Sequence, residues 1–211
     1  VVLAAGTSSR YGNGANKLLL PFGERNTVIS TVITALAHTP ARPIVVVTGH
    51  QAAAIRAALN YDAIGDVSAT LTFVHNPDYL SGEMLSSVKT GLYALAAHDD
   101  VRAALIVLGD QPLLRADVVE RLCAAFAQNC GEIIAPRVGL DGPRGHPVAI
   151  GRNWWDAVLA LPSNGNVRDL LRAHLDRVTH LVVNSDSILG DVDTPAAYQA
   201  ALAAGQQINN A

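Results

Sequence analysis

"VVLAAGTSSR" (residues 1–10), continued by "YGNGANKLLLP" (residues 11–21), decides how the remaining chain is read. Five apolar residues break into a glycine, three hydroxyls and an arginine, and a lysine follows just before the chain turns apolar again. A short β-forming run that empties into small polar residues is a strand delivering a loop. The pattern recurs downstream. "PIVVVTG" (43–49), "TLTFVHN" (70–76), "AALIVLGD" (103–110), "EIIAPR" (132–137), "HPVAI" (146–150) and "THLVVN" (179–184) also read as strands. Between them, Ile29, Val32, Ile33 and Leu36 share one helical face, as do Leu85, Val88, Leu92 and Leu95, and later Val118, Leu122 and Phe126.

Strand and helix in alternation predict an α/β fold: a single domain with a mostly parallel, Rossmann-like sheet and helices on both faces. No linker or repeat interrupts residues 1–211 before the Ala/Gln/Asn-rich segment 202–211, which reads as a tail. In such a sheet, ligands sit where strands end and loops lead into helices. The loops to watch are therefore "AAGTSSR" (4–10), "TGHQ" (48–51), "HNPDYLSGEM" (75–84) and "GDQP" (109–112).

Composition narrows the function classes. Half of the 211 residues are hydrophobic but only 5% are aromatic, which suits aliphatic helices packed on parallel strands. The net charge is −3 with no basic run, so binding to a nucleic-acid backbone is not expected. Cys123 and Cys130 stand seven positions apart, a spacing that makes neither a metal knuckle nor a redox pair. No stretch approaches the roughly 18 apolar residues of a membrane span. No charged leader precedes the first apolar run, and a cytoplasmic protein is the expectation.

The first loop fits neither familiar phosphate fingerprint. Lys17 is flanked by Asn16 and Leu18, which excludes the P-loop, and Gly6 alone remains of a dinucleotide motif. Its chemistry still points to a polyphosphate. Gly6 permits close backbone approach, Ser8 and Ser9 bring hydroxyls, Arg10 a planar fork and Lys17 a point charge. The ten residues between Gly6 and Lys17 let the loop pass over a triphosphate and bring the ammonium back to it. A glycine-rich surface turn is the alternative reading.

Asp110 follows an apolar strand, at the end where a ligand would sit. It suits a helix cap, given Pro112, or a metal ligand. In "DVDTP" (191–195), Thr194 and Pro195 read as the start of a last helix, which leaves Asp191 and Asp193 in the loop before it. Carboxylates from separate loops suit Mg²⁺, which keeps several waters and bridges substrate phosphates.

The run Leu3-Ala4-Ala5-Gly6-Thr7-Ser8-Ser9-Arg10-Tyr11-Gly12, followed by Lys17-Leu18-Leu19-Leu20-Pro21, resembles the signature of the MobA-like nucleotidyltransferases. "TGH" (48–50), "NPDYLSGEMLSSVKTGL" (76–92), "GDQPLL" (109–114), "GPRGHPV" (142–148) and "DVDTP" extend the resemblance over almost the whole chain. With LAAG in place of LAGG, it is most similar to members that use CTP on the molybdenum cofactor.

The resemblance implies transfer of CMP from CTP to the terminal phosphate of molybdopterin, releasing pyrophosphate. It implies Mg²⁺ (or Mn²⁺) on Asp110 and Asp193, with Asp191 in reserve, and charge stabilisation by Lys17, Arg10 and Asp110. It puts Leu3, Ala4, Ala5, Gly6, Asn76, Ser87 and Gly109 on the nucleotide side. Ala5 adds a methyl that would narrow the base pocket towards a pyrimidine. Arg144 and His146 fall on the acceptor side, and a molybdoenzyme or its chaperone would receive the product. Trp154 and Trp155 either stack on a pterin or pack in the core. The readings kept beside it are a relative using GTP or another phosphorylated acceptor, such as a sugar phosphate, and a nucleotide-binding chaperone without catalysis.

Overall fold

The computed structural model describes residues 1–9, 11, 14–129 and 132–209, without the side chains of 69, 208 and 209. Cys130 thus lies outside the described residues. Seven strands form one sheet in the order β3-β2-β1-β4-β6-β5-β7. They are β1 (Val2–Ala4), β2 (Ile44–Thr48), β3 (Leu71–His75), β4 (Ala103–Leu108), β5 (Ile133–Val138), β6 (Val148–Gly151) and β7 (Val178–Val183). Each is a strand that the sequence predicts. The pairs β1–β2, β1–β4, β2–β3 and β5–β7 are parallel, while β6 runs antiparallel between β4 and β5.

Eight helices accompany the strands among the described residues: α1 (Val28–Ala37), α2 (Ala52–Ala57), α3 (Tyr61–Ile64), α4 (Glu83–Ala96), α5 (Ala116–Gln128), α6 (Trp155–Leu159), α7 (Val167–Ala173) and α8 (Pro195–Asn209). The residues of α1 are largely β-branched, so packing rather than propensity holds it helical. Thr27 caps it by accepting from the Ser30 amide at 3.3 Å, and Ile29, Val32 and Ile33 are wholly buried. Alternation along β2 splits the core. Ile44 and Val46 face the layer containing α1, while Val45 and Val47 face α4 and Trp155.

The segment after Leu202, read as a tail, instead completes α8. Its start is capped as the sequence suggests, the Ala197 amide donating to Thr194 Oγ1 at 3.1 Å. A methyl on Gly205 would lie 3.1 Å from the Phe22 ring. Polar composition hid an amphipathic helix whose small residues let it approach the core.

From β1 the chain builds outward through β2 and β3, then returns to lay β4 on the other side of β1. This reversal opens a crevice at the carboxyl ends of β1 and β4, where the loops 5–16 and 109–115 begin.

Candidate active site

Backbone geometry brings the two loops together. The Gly109 amide donates to Leu3 O at 3.0 Å, and a Cβ on Gly109 would stand 2.7 Å from that oxygen. Only glycine lets β4 leave the sheet so close to β1. The Val192 amide then donates to Asp110 O at 2.9 Å, laying the 191–193 loop beside Asp110.

The first loop is tied at both ends. Ser8 Oγ donates to Asn16 Oδ1 at 3.3 Å and accepts from the Lys17 amide at 3.1 Å, while Asn16 also caps the short turn Lys17–Leu19. This closure aims Lys17 inward. Its ammonium donates to Asp110 and, at 2.5 Å, to Asp193 Oδ1. Burial pushes the Lys17 pKa down, but the charges and hydrogen bonds of Asp110 and then Asp193 outweigh it and hold it above the usual lysine value.

A third carboxylate stands beside the pair. The Gln111 side-chain amide, itself buried, donates to Asp191 Oδ1 at 2.5 Å and to Ile188 O at 3.3 Å. Burial raises the Asp191 pKa against that hydrogen bond, and the Asp110 charge adds to the rise. The Gln111 carbonyl oxygen is buried and has no hydrogen-bond partner among the described residues. His146 is half-buried with Nδ1 3.2 Å from Ile106 O, and burial lowers its pKa.

Two cavities meet at these groups. One, of about 340 Å³, is lined by Leu3, Ala5, Gly6, Ser8, Lys17, Ser87, Asp110 and Asp193 among others. The other, of about 690 Å³, is lined by Gln111, Arg144, His146, Arg168 and Arg172 with a wall of aliphatic residues. Glu83, Met84, Leu108 and Asp191 border both. Among the described residues, nothing lies within 4 Å of where a Cβ on Gly6 would stand, and Gly6 lines the smaller cavity.

Most of the expected site residues gather here. Leu3, Ala5, Gly6, Lys17, Ser87, Asp110 and Asp193 line the smaller cavity, and Arg144 and His146 the larger. Three do not line either. Ala4 packs into the core, its neighbours on the strand facing the cavity instead. Gly109 is closed in between β1 and β4. Asn76 is buried and already committed: it donates to Ser86 Oγ and Ser87 Oγ at 2.8 and 3.0 Å and accepts from the Asp78 amide at 3.0 Å. It braces Ser87 from behind and lines neither cavity. Arg10 lies outside the described residues.

The tryptophans follow the packing alternative. Trp155 is buried and donates to Ile150 O at 3.1 Å, and Trp154 meets the His174 ring edge-on. Sequence reasoning passed over Gln111, Glu83 and the α7 arginines. Glu83 carried no visible signal, because its placement follows from a φ of 48° at the start of α4. Gln111 sat within "GDQP" and was the legible one.

Among the described residues, no three His, Cys, Asp or Glu side chains gather as a metal cage. Asp110 and Asp193 are the pair positioned for a cation, and each already bonds the Lys17 ammonium. A donor set of two carboxylates on the wall of the smaller cavity fits a hydrated Mg²⁺ or Mn²⁺.

The chain is 29% identical over 195 residues to the molybdenum cofactor cytidylyltransferase of Escherichia coli (strain K12), covering 92% of this chain and 90% of that protein. It is 31% identical to the bifunctional protein GlmU of Solibacter usitatus, over 69% of this chain but only 29% of that longer protein. Its fold superposes on Rv0371c from Mycobacterium tuberculosis H37Rv with a TM-score of 0.75 and 27% identity, covering 96% and 95% of the two chains. A manganese complex of that same protein superposes at 0.73, with 25% identity and 96% coverage of each. The MobA-like NTP transferase domain matches residues 1–178, and the chain belongs to that family of nucleotidyltransferases.

Proposed function

We propose that the protein transfers CMP from CTP to the terminal phosphate of a molybdopterin-type acceptor, releasing pyrophosphate. The observation that carries this reading is that two cavities share Asp191, while Asp110, Asp193 and the Lys17 ammonium bonded to both line the smaller one. One cavity has the loop chemistry of a triphosphate site, and the other faces it with cations. The similarity to a cytidylyltransferase over nearly the full chain favours CTP.

A phosphate nucleophile is already an anion and needs no general base, so the task is alignment and charge neutralisation. Asp110 and Asp193 would hold Mg²⁺ or Mn²⁺, which supplies charge stabilisation at the α-phosphate when bound; the manganese complex of Rv0371c supports such a metal. The Gly6–Ser9 backbone and the Ser8 loop closure shape the bed for the β- and γ-phosphates. Lys17 turns from the carboxylates towards the leaving pyrophosphate. Ala5 and Leu3 present the base-side wall, and the Ala5 methyl favours the smaller pyrimidine.

Pyrophosphate release, measured with molybdopterin and Mg²⁺ or Mn²⁺ and with CTP, GTP, ATP and UTP in turn, tests the reading. Turnover confined to CTP supports it; turnover with GTP, or only with a sugar phosphate as acceptor, replaces it with a relative's specificity. Asp110→Ala separates enzyme from chaperone. Nucleotide binding that survives while turnover disappears marks an enzyme, and a wild type that binds without any turnover marks a carrier.

A further inference from the structure

The larger cavity carries a cationic wall whose individual residues have no role assigned so far. Helix α7 presents Val167, Arg168, Leu171 and Arg172 to it, positions that share one helical face. Arg172 is 3.3 Å from Asp169, its partner one turn back. Among the described residues, no carboxylate pairs with Arg168 or with Arg144 across the cavity. Arg168 lines the same cavity as His146, and its charge adds to the lowering of that ring's pKa by burial while Asp191 and Asp110 oppose it. An arginine facing a cavity without a carboxylate partner is poised for an external anion.

We infer that Arg168 of α7 is the residue that reads the charge of the acceptor, positioning its phosphate beside Asp110 and Asp191 with Arg144 and Arg172 completing an anionic binding wall. This deepens the nucleotidyl-transfer reading and rests on it for the identity of the nucleotide. The aliphatic wall of Leu85, Val88, Val148 and Leu171 cannot recognise charge, so selection of a phosphorylated acceptor over its neutral analogue falls to the arginines.

Arg168 is exposed, so its replacement leaves the core intact. The test compares wild type, Arg168→Gln and Arg168→Lys. Steady-state kinetics give KM for molybdopterin and for CTP separately. Calorimetric titration with molybdopterin, N-acetylglucosamine 1-phosphate and ribose 5-phosphate, without nucleotide, measures binding directly. Arg168→Gln is expected to raise KM for molybdopterin about ten- to hundredfold, the range of a charge-assisted contact, with KM for CTP within about twofold. Arg168→Lys recovers part of the loss, because charge survives and the planar fork does not. Unchanged acceptor KM and binding in Arg168→Gln overturn the inference, as does an equal rise in both KM values. So does a wild type that binds none of the three phosphates. If wild type turns over no CTP, yet binds one of them and Arg168→Gln loses it, the nucleotide reading fails and the role of Arg168 stands.

Discussion

Lys17 Nζ lies 2.5 Å from Asp193 Oδ1, across 176 residues of sequence, while bonding Asp110 with the same ammonium. The lysine therefore does two jobs in the proposed cycle. Before substrate arrives, it neutralises two carboxylates that would otherwise repel one another; with substrate, it neutralises phosphate. Lys17→Met is expected to lower kcat about 100- to 1,000-fold. It should nevertheless bind Mn²⁺ more tightly than wild type in the absence of nucleotide, because no ammonium competes for the pair. Electron paramagnetic resonance titration of free Mn²⁺ reads this, and weaker binding in the variant would refute the placeholder role.

In the proposed function, the Ala5 methyl faces the base from the wall of the smaller cavity. Ala5→Gly should raise kcat/KM for GTP relative to CTP by about tenfold, the worth of a single methyl-sized fit. The competition assay needs both nucleotides in one tube, and an unchanged ratio moves base selection elsewhere.

Asn76 predicts a coupling between stability and nucleotide affinity. Its buried side chain is spent on Ser87, which is also buried, on the half-buried Ser86 and on the amide of the exposed Asp78. Asn76→Ala leaves those partners short and should cost about 1–3 kcal/mol in urea unfolding. KM for CTP should rise with it, because Ser87 lines the cavity proposed to take the nucleotide. Loss of stability with an unchanged KM would make Asn76 purely structural.

Gly109 has no room for a side chain. A methyl there meets Leu3 O at 2.7 Å and Ile29 Cδ1 at 2.9 Å, forcing β1 and β4 apart. Gly109→Ala should lower stability by about 1–3 kcal/mol and displace Asp110 with it. Differential scanning calorimetry and kcat together check both halves.

The pH dependence of stability follows from His146. Its unfolded value is near 6.5 and burial lowers it in the native state, so the unfolded chain takes up the proton first on acidification. Its contribution is intact above about pH 6.5 and is lost as pH falls through the lowered native value. Asp191 and Asp110 oppose the shift and Arg168 reinforces it. His180, also lowered by burial, adds a slope of the same sign that survives in a His146 variant. Urea midpoints between pH 5 and 8 should therefore fall less steeply for His146→Asn than for wild type. Equal slopes would mean that the native ring titrates as it does unfolded.

All seven strands and the buried stripes of α1, α4 and α5 were legible, because burial on a sheet or helix face imposes its period on neighbouring residues. Tail-like composition misled at α8, where alanine and glycine serve close packing against Phe22. The family resemblance put Asn76 on the nucleotide side, whereas its side chain is engaged within the protein. Its partners at Ser86 and Ser87 depend on where α4 begins, which the pattern of polar residues does not report.

The sequence by itself determined the layered fold, the Gly6-to-Lys17 loop and the carboxylates of the two later motifs. These depend on residue type and short-range spacing, which the chain carries locally. Only the tertiary structure decided that Lys17, Asp110 and Asp193 share one point, that Gln111 holds Asp191, and that α7 turns Arg168 into a cavity beside them. Those relationships join residues far apart in the chain. They exist because the return from β3 to β4 and the antiparallel β6 fold distant loops around one crevice, a consequence of strand order rather than of any local pattern.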